Sequence, residues 1–353
     1  MAITRARGAR ESESAAPLPR APAEGRPART AAALLIALLL GVGAALAAMP
    51  ALFRLAPTDL SRLDVLLAAE RSGEPAAILV LGNSIAMCGV DGRQLTRELP
   101  GAPVALNFAS TGQTLAESYL LLQDLPKGVE TLVLVLPPDA LFGPESLSSQ
   151  KYNAFYMFGF RPDAETRQTL DTLFGRSMRD VLGASGIAQR FRARWALREL
   201  VDGAARRLLR KDLALDRATT DLQFPQPYRE RLAPEKMRRA VEQQIAISAR
   251  LRDEPDPAKA KLLGQIAARA TAGERRLLVV LPPANPGVRA ALGGELPEPF
   301  AGALARLREH PRAALLDLRK LLGEEEFIDA VHPTSEGARR ITGAVAEALR
   351  NPA

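Results

Sequence analysis

From residue 76 onward, short uninterrupted apolar runs alternate with segments whose apolar residues recur at helical spacing. Apolar runs without polar alternation are typical of strands buried on both faces, as in a parallel sheet between two layers of helices. The pattern therefore predicts an α/β domain with a parallel sheet of about five strands. The predicted strands are 76–82, 103–109, 131–137, 275–282 and 313–318. The predicted helices are 92–99, 114–125, 299–310 and 335–350, the last with Ser335 as its N-cap.

A different pattern occupies the N-terminal region, where residues 31–53 form an apolar run without a single charge. About 20 apolar residues span a bilayer core. Arginines precede the run, which predicts a single-pass anchor in the inner membrane with its N-terminus in the cytoplasm and residues 54–353 in the periplasm or outside the cell. Two alternatives stay open. "ALA" at 45–47 resembles a signal-peptide cleavage site, and the run is also compatible with a buried helix of a soluble protein.

The segments around this run are polar or irregular. Residues 1–30 are rich in Ala, Pro, Arg and Glu, which predicts a disordered basic tail on the cytoplasmic side. Residues 54–75 are predicted as a linker or short helix, and residues 76–353 as the α/β domain. The formal net charge is +7 over 353 residues, so its distribution matters more than its size.

A long insertion, about 143–272, separates the third and fourth predicted strands and is mostly helical by pattern, with breaks at "FPQPY" (224–228) and "DEPDP" (253–257). Its segment 190–211 holds eight basic and two acidic residues. We interpret this segment as a helix with a solvated basic face, or as a surface that contacts anionic lipid or an anionic envelope polymer. Nucleic acid is not an expected partner. Apolar residues that share one side of this helix are Phe191, Trp195, Val201, Ala204 and Leu208.

The first predicted strand ends in "GNS", at Ser84. In parallel sheets, binding sites form at the carboxyl ends of the strands. Proline cannot continue a central strand, so the Pro-Pro pairs at 137–138 and 282–283 mark two further strand ends at the same edge.

A serine becomes a nucleophile when a base takes its proton and a third group orients that base. "DAVH" supplies His332 as the base, with Asp329 three residues earlier to hold the imidazole.

The remaining reactive residues are few. The chain has two histidines and one cysteine, so an internal disulfide and a His-rich metal site are excluded, and no metal or cofactor is expected. Cys88 is predicted to be a buried structural thiol, and His310 a helix C-terminal cap. Asn285 follows the fourth strand and is interpreted as a turn residue or as a residue that lines the site. Asp139 follows the third strand and is a second candidate for lining the site.

These motifs resemble the SGNH (GDSL-type) hydrolase superfamily, whose first block is Gly-Asp-Ser and whose last is Asp-x-x-His before the final helix. Here the blocks are Gly82-Asn83-Ser84 and Asp329-Ala330-Val331-His332. The resemblance implies a flavodoxin-like three-layer sandwich. It also implies an oxyanion hole formed by the amides of Ser84 and Gly112, with Asn83 beside the substrate. The third block departs from the family pattern: "LPPDALFG" has Asp139 near the expected position and no Asn.

The N-terminal anchor with a degenerate third block is also similar to SGNH-like proteins of envelope polysaccharide acylation, which often act beside a membrane-bound O-acyltransferase. The expected function is therefore a membrane-anchored serine O-acyl esterase or O-acyltransferase. It would act on an envelope polysaccharide or acylated glycan through an acyl-serine intermediate. Two alternatives stay open: a non-catalytic SGNH-like module for binding or assembly, and a membrane-surface lipase or thioesterase.

Overall fold

A computed structural model describes most of the chain, in two compact units, residues 1–47 and 48–353. The described residues are 26–55, 62, 64, 76–125, 128–145, 147, 152, 155–184, 186–192, 194, 198, 201–202, 205, 221–228, 230–252, 254–294 and 296–351.

The N-terminal apolar run forms a helix, α1 (Arg26–Leu55). Its stretch Arg29–Leu52 has a mean hydropathy of 2.5 and, among the described residues, is the one long and apolar enough to cross a membrane. A signal sequence near the N-terminus meets the same criteria, so the length and composition of α1 fit a membrane span or a signal sequence alike. The helix extends beyond the predicted span at both ends, and residues 26–30 of the predicted disordered tail are helical.

The predicted parallel sheet is confirmed. Five strands lie in the order β2-β1-β3-β4-β5, and every neighbouring pair is parallel. The second strand is shorter than predicted and ends at Asn107, whose backbone N–H donates to Leu222 of the insertion, while the next backbone N–H, of Phe108, still donates to Val80. The strands are β1 (Ile78–Gly82), β2 (Ala105–Asn107), β3 (Thr131–Val135), β4 (Arg276–Leu281) and β5 (Ala313–Asp317).

Helices lie between the strands at the predicted places, and short helices that were not predicted, such as α10, are added. The described helices of the second unit are α2 (Ser84–Gly89), α3 (Gly92–Glu98), α4 (Leu115–Leu121), α5 (Ala164–Phe174), α6 (Arg176–Leu182), α7 (Gly186–Arg192), α8 (Pro234–Arg252), α9 (Pro257–Ala270), α10 (Pro286–Ala291), α11 (Glu298–Leu307) and α12 (Ser335–Arg350), with single 3₁₀ turns at Leu122–Asp124, Pro138–Leu141 and Glu324–Glu326.

The two faces of the sheet carry separate cores. Along β1, Leu79 and Leu81 contribute to one core, and Ile78 and Val80 to the other. Helices α4, α9 and α11 cover the first face, and α2, α3 and α12 cover the second. Each fully buried aliphatic side chain contributes about 1.5–3 kcal/mol to stability. Because both faces of the sheet are buried, successive positions of a strand are apolar, and the strands are continuous apolar runs in the sequence.

The insertion between β3 and β4 is mostly helical where the structure describes it, from α5 to α9, and residues 221–228 are not helical. The segment 190–211 lies largely outside the described residues, as do Trp195, Ala204 and Leu208. Its described members Phe191 and Val201 are exposed. The predicted linker 54–75 also lies mostly outside the described residues.

The strand order defines where a site can form. From β1 the chain goes to β2 on one side of the sheet, and it then returns to β3 on the other side of β1. Such a reversal leaves a crevice at the carboxyl ends of the strands. Ser84 follows β1 at this reversal, and the Pro-Pro pairs follow β3 and β4 at the same edge.

Gly82→Ala tests whether the close packing around Gly82 requires a glycine at the end of β1. Gly82 has φ +142°, and an added Cβ would lie 2.8 Å from both the Cβ of Ala86 and the carbonyl oxygen of Val135. We expect a loss of at least about 1–3 kcal/mol in the free energy of unfolding, measured by denaturant titration. Gly264→Ala is the matched control, because Gly264 is exposed in α9 with no atom near an added Cβ, and should gain up to about 1 kcal/mol. Equal effects of the two substitutions would contradict this account of Gly82.

Candidate active site

The candidate nucleophile stands on a tight strand-to-helix turn. Gly82 ends β1, and Ser84 is the first residue of α2. Asn83 is the N-cap: its side-chain oxygen accepts a hydrogen bond from the Ile85 N–H at 3.0 Å. The sequence suggested Asn83 as a residue lining the substrate, whereas in the structure its carboxamide oxygen is engaged in capping α2.

A buried polar residue on the neighbouring strand fixes α2. Asn107 is fully buried at the end of β2, and its Nδ2 donates to the carbonyls of Ala86 at 3.0 Å and Val90 at 2.8 Å. Its Oδ1 accepts from the Ala109 N–H at 3.1 Å. Both polar atoms of the side chain are therefore satisfied, and the helix that carries Ser84 is tied to β2.

The candidate base lies on a short closed loop before α12. Phe327 and Pro333 form an isolated antiparallel bridge, and the Ile328 N–H donates to the His332 carbonyl at 2.8 Å. Thr334, not Ser335 as predicted, is the N-cap of α12, since its Oγ1 accepts from the Gly337 N–H at 3.2 Å. Ser335 is already the first helical residue.

These elements bring Ser84, His332 and Asp329 together. The Oγ of Ser84 lies 2.9 Å from Nε2 of His332, and Nδ1 of His332 lies 2.8 Å from Oδ2 of Asp329. His332 is 8% exposed, so the ring is largely shielded from water. The arrangement allows the imidazole to accept the serine proton while the carboxylate holds the opposite ring nitrogen.

The carboxylate of Asp329 is held in its ionised form. Burial by itself raises the pKa, but the hydrogen bonds from the His332 ring and from the backbone N–H groups of His332 and Val331 outweigh it. The net result is a pKa below the ordinary value of an aspartate. Asp329 is therefore a charged acceptor for the Nδ1–H of His332 at neutral pH.

Tyr228 was not predicted from the sequence. Its ring stacks on the His332 imidazole, with centroids 4.2 Å apart and planes inclined by 24°. The stretch 221–228 belongs to the insertion and packs against α2 and α3. The Gly92 N–H donates to the Gln223 carbonyl, and the Gln226 side chain donates to the Cys88 carbonyl. Two prolines in "FPQPY" signal an extended segment, but no local pattern identifies a ring partner 104 residues away along the chain.

A cavity of about 110 Å³ opens at the same edge. We call it the β3–β4 cavity. It reaches Ile85, next to Ser84, and Val331, next to His332. Apart from these two, its lining residues are Pro137, Pro138, Asp139, Phe142, Gln244, Ser248, Arg252, Pro282, Pro283, Ala284, Asn285, Val288, Arg289, Leu292, Gly294, Leu296, Arg319 and Ala330.

Two predicted site residues lie in this cavity. Asp139 is the second residue of the 3₁₀ turn Pro138–Leu141 after β3, and burial raises the pKa of its carboxyl above the ordinary value, against the weaker effects of its own backbone and of Lys259. Asn285 is 2% exposed, and its Oδ1 caps α10 by accepting from the Gly287 N–H at 3.0 Å. Asn285 is therefore a turn residue, as considered from the sequence, and it lines the β3–β4 cavity, while its part in a functional site stays a prediction.

The structure also describes the other candidate residues from the sequence, which are Gly112, Cys88 and His310. Gly112 has φ +60° in an exposed turn after β2, and its part in an oxyanion hole stays a prediction. Cys88 is buried, and burial followed by the negative charge of Asp329 raises the pKa of its thiol, as expected of a structural cysteine. His310 is not the C-cap of α11 as predicted: Arg308 takes that place, and His310 only donates its backbone N–H to the Leu307 carbonyl in the turn that follows. Within the described part of the chain, no cluster of three or more His, Cys, Asp or Glu residues is arranged to hold a metal ion.

Comparison with known proteins finds no family model and no curated sequence that matches the chain. The chemistry of the site therefore has to be argued from its own geometry.

The tautomer of His332 is a direct test of this geometry. Asp329 should hold the proton on Nδ1 and leave Nε2 as the acceptor toward Ser84. Nitrogen-15 NMR of the imidazoles, with only two histidines to assign, should show the Nδ1–H form for His332. Asp329→Asn should shift it toward the Nε2–H form, because the amide nitrogen of Asn donates instead of accepting. His310 is the internal control and should not change. An Nε2–H form in the wild type would contradict the arrangement.

Proposed function

We propose that the chain is a serine O-acyl esterase or O-acyltransferase of SGNH type. The single observation that carries the proposal is the continuous hydrogen-bond chain from Ser84 Oγ through His332 to Asp329, at 2.9 and 2.8 Å. A serine with this environment is poised to attack an ester carbonyl.

In the proposed reaction, Ser84 Oγ forms a bond to the carbonyl carbon while its proton passes to Nε2 of His332. The charge of the imidazolium is balanced by Asp329. The tetrahedral intermediate then collapses, the bond to the leaving alcohol breaks, and His332 returns the proton to that alcohol oxygen. Water or a second hydroxyl attacks the acyl-serine by the same steps in reverse, which gives hydrolysis or transfer respectively.

The assignment to the SGNH type is supported by the order of the blocks and by the strand order. Gly82-Asn83-Ser84 lies at the end of β1, and Asp329 and His332 precede the last helix. The order β2-β1-β3-β4-β5 is the flavodoxin-like order. We further propose that α1 anchors the chain in the inner membrane, with residues 54–353 in the periplasm. The acyl group would then be carried by an envelope polysaccharide or glycan, and a membrane-bound O-acyltransferase would be a partner.

The oxyanion that forms in this reaction needs donors. In the proposal these are the backbone amides of Ser84 and Gly112. The Ser110 N–H donates to Gly82 at 3.1 Å, which links the turn that holds Gly112 to the end of β1. The volume of the β3–β4 cavity, about 110 Å³ beside Ser84, favours an esterase for short acyl groups over a lipase.

Ser84→Ala and His332→Ala test the proposal in the full-length protein with p-nitrophenyl acetate. We expect each to lower kcat at least about 10³-fold, since members of such a triad act as one unit. Ser335→Ala is the matched control: Ser335 is exposed, does not cap α12, and should keep full turnover. Thermal unfolding should be similar for all three variants.

Unchanged turnover in Ser84→Ala would contradict the proposal. Turnover absent from the wild type, together with polymer binding that survives Ser84→Ala, would favour the non-catalytic binding module instead.

A further inference from the structure

A buried arginine reaches the end of β2 from outside the sheet. Arg62 lies in the stretch between α1 and β1, yet it is 2% exposed. An arginine is almost never fully buried without partners, because removing its charge from water is costly. Two of its partners are backbone carbonyls: its two terminal guanidinium nitrogens donate to Asn107 and Ala109 respectively. Arg62 therefore connects a segment outside the sheet to the strand end that adjoins the site.

These two carbonyls lie on the outer side of an edge strand. β2 stands at one end of the sheet, and the backbone groups of successive residues in a strand point to opposite sides. The Phe108 N–H donates to β1, so the backbone groups of Asn107 and Ala109 face away from β1. The Asn107 N–H donates to Leu222, and the Ala109 N–H to the Asn107 side chain. Arg62 pairs the two carbonyls on this side, which otherwise need a further strand.

The peptide group after Ala109 is held from both sides. Its carbonyl accepts from Arg62, and its N–H, that of Ser110, donates to the end of β1 at 3.1 Å. Because a peptide group is planar, these two contacts fix its orientation. A turn follows at once, closed by the Gln113 N–H, which donates to the Ser110 carbonyl at 3.0 Å. Gly112 lies in this turn with φ +60°, so Arg62 acts on the base of the turn that carries Gly112.

The guanidinium is also close to the helix that carries Ser84. Burial and the negative charge of Asp329 raise the pKa of the Cys88 thiol in α2, whereas the positive charge of Arg62 acts in the opposite direction. Asn107, whose carbonyl accepts from Arg62, holds α2 through its own side chain. The contacts of Arg62 therefore concern both the turn after β2 and the helix of the nucleophile.

We propose that Arg62 is a positioning residue of the site. It fixes the Ala109–Ser110 peptide group and the turn after it, so that the Gly112 N–H is directed at the oxyanion formed when Ser84 attacks an ester. This role rests on the proposed function, and in it Arg62 acts through the backbone. A guanidinium suits the role because its donors form a rigid fork that reaches two carbonyls, whereas the ammonium of lysine is a single point. Part of the stretch between α1 and β1 then belongs to the site.

Hydrogen exchange of the full-length protein tests the contact without turnover. Arg62→Met keeps an apolar stem and removes the donors, so amides within 107–113 should exchange at least about tenfold faster. Amides of α12 should keep their wild-type rates, which distinguishes local loosening from unfolding. Arg161→Met is the matched control: Arg161 also donates to two backbone carbonyls, those of Tyr156 and Phe160, and its loss should leave 107–113 unchanged.

Turnover of p-nitrophenyl acetate by the same variants tests the consequence for the reaction. A misplaced oxyanion donor weakens the transition state more than the bound substrate, so Arg62→Met should lower kcat at least about tenfold and change KM less than about twofold. Rates are counted per chain that a small fluorophosphonate labels to completion, which removes any unfolded fraction. Arg62→Lys keeps the charge but reaches one carbonyl, should fall between wild type and Arg62→Met, and carries the test if Arg62→Met does not fold.

Wild-type exchange at 107–113 in both Arg62 variants would overturn the assignment, and so would a loss of kcat without faster exchange there. Faster exchange with unchanged kcat would also overturn it, because Arg62 would then hold the turn without any effect on the reaction. Faster exchange in Arg62→Met, in a protein whose wild type has no esterase or transferase turnover, would instead refute the proposed function and leave the contact between Arg62 and the turn in place.

Discussion

The hydrogen bond between Ser84 and His332 joins two residues that are 248 positions apart, and the geometry of the site depends on it. It forms only if the turn after β1 and the loop before α12 meet at one edge of the sheet. Parallel pairing of β1 with β2 and β3 provides that edge, and the close approach at Gly82 fixes where the chain leaves the sheet. The bridge between Phe327 and Pro333 fixes the other side.

Buried polar groups away from the reacting atoms keep these elements in place. Asn107 ties α2 to β2, and its full hydrogen bonding makes the position of Ser84 specific. On the opposite face, the ion pair between Lys259 and Glu145 is almost completely buried at 3.2 Å, and Glu145 also accepts from the Ala116 N–H at the start of α4. Removing either charge alone would leave the other buried without its partner, which is costly.

The sheet could be predicted from the sequence because buried parallel strands appear as continuous apolar runs, and the Pro-Pro pairs signal where β3 and β4 end. Ser84, Asp329 and His332 were predicted because each stands at a recognisable element boundary. Tyr228 could not be predicted, since its contact with His332 depends on how the insertion folds back. Ser335 was predicted as the N-cap in place of Thr334 because both are hydroxyl residues one position apart, and only the backbone geometry distinguishes them.

The central claim is that Ser84 is an activated nucleophile, and covalent labelling tests it most directly. The full-length protein is treated with a small fluorophosphonate and its intact mass is measured beside that of Ser84→Ala and His332→Ala. The account predicts one adduct per wild-type chain and none on either variant, because attack needs both the hydroxyl and its base. A folded wild-type protein that takes up no label, or an adduct that persists in Ser84→Ala, would contradict it.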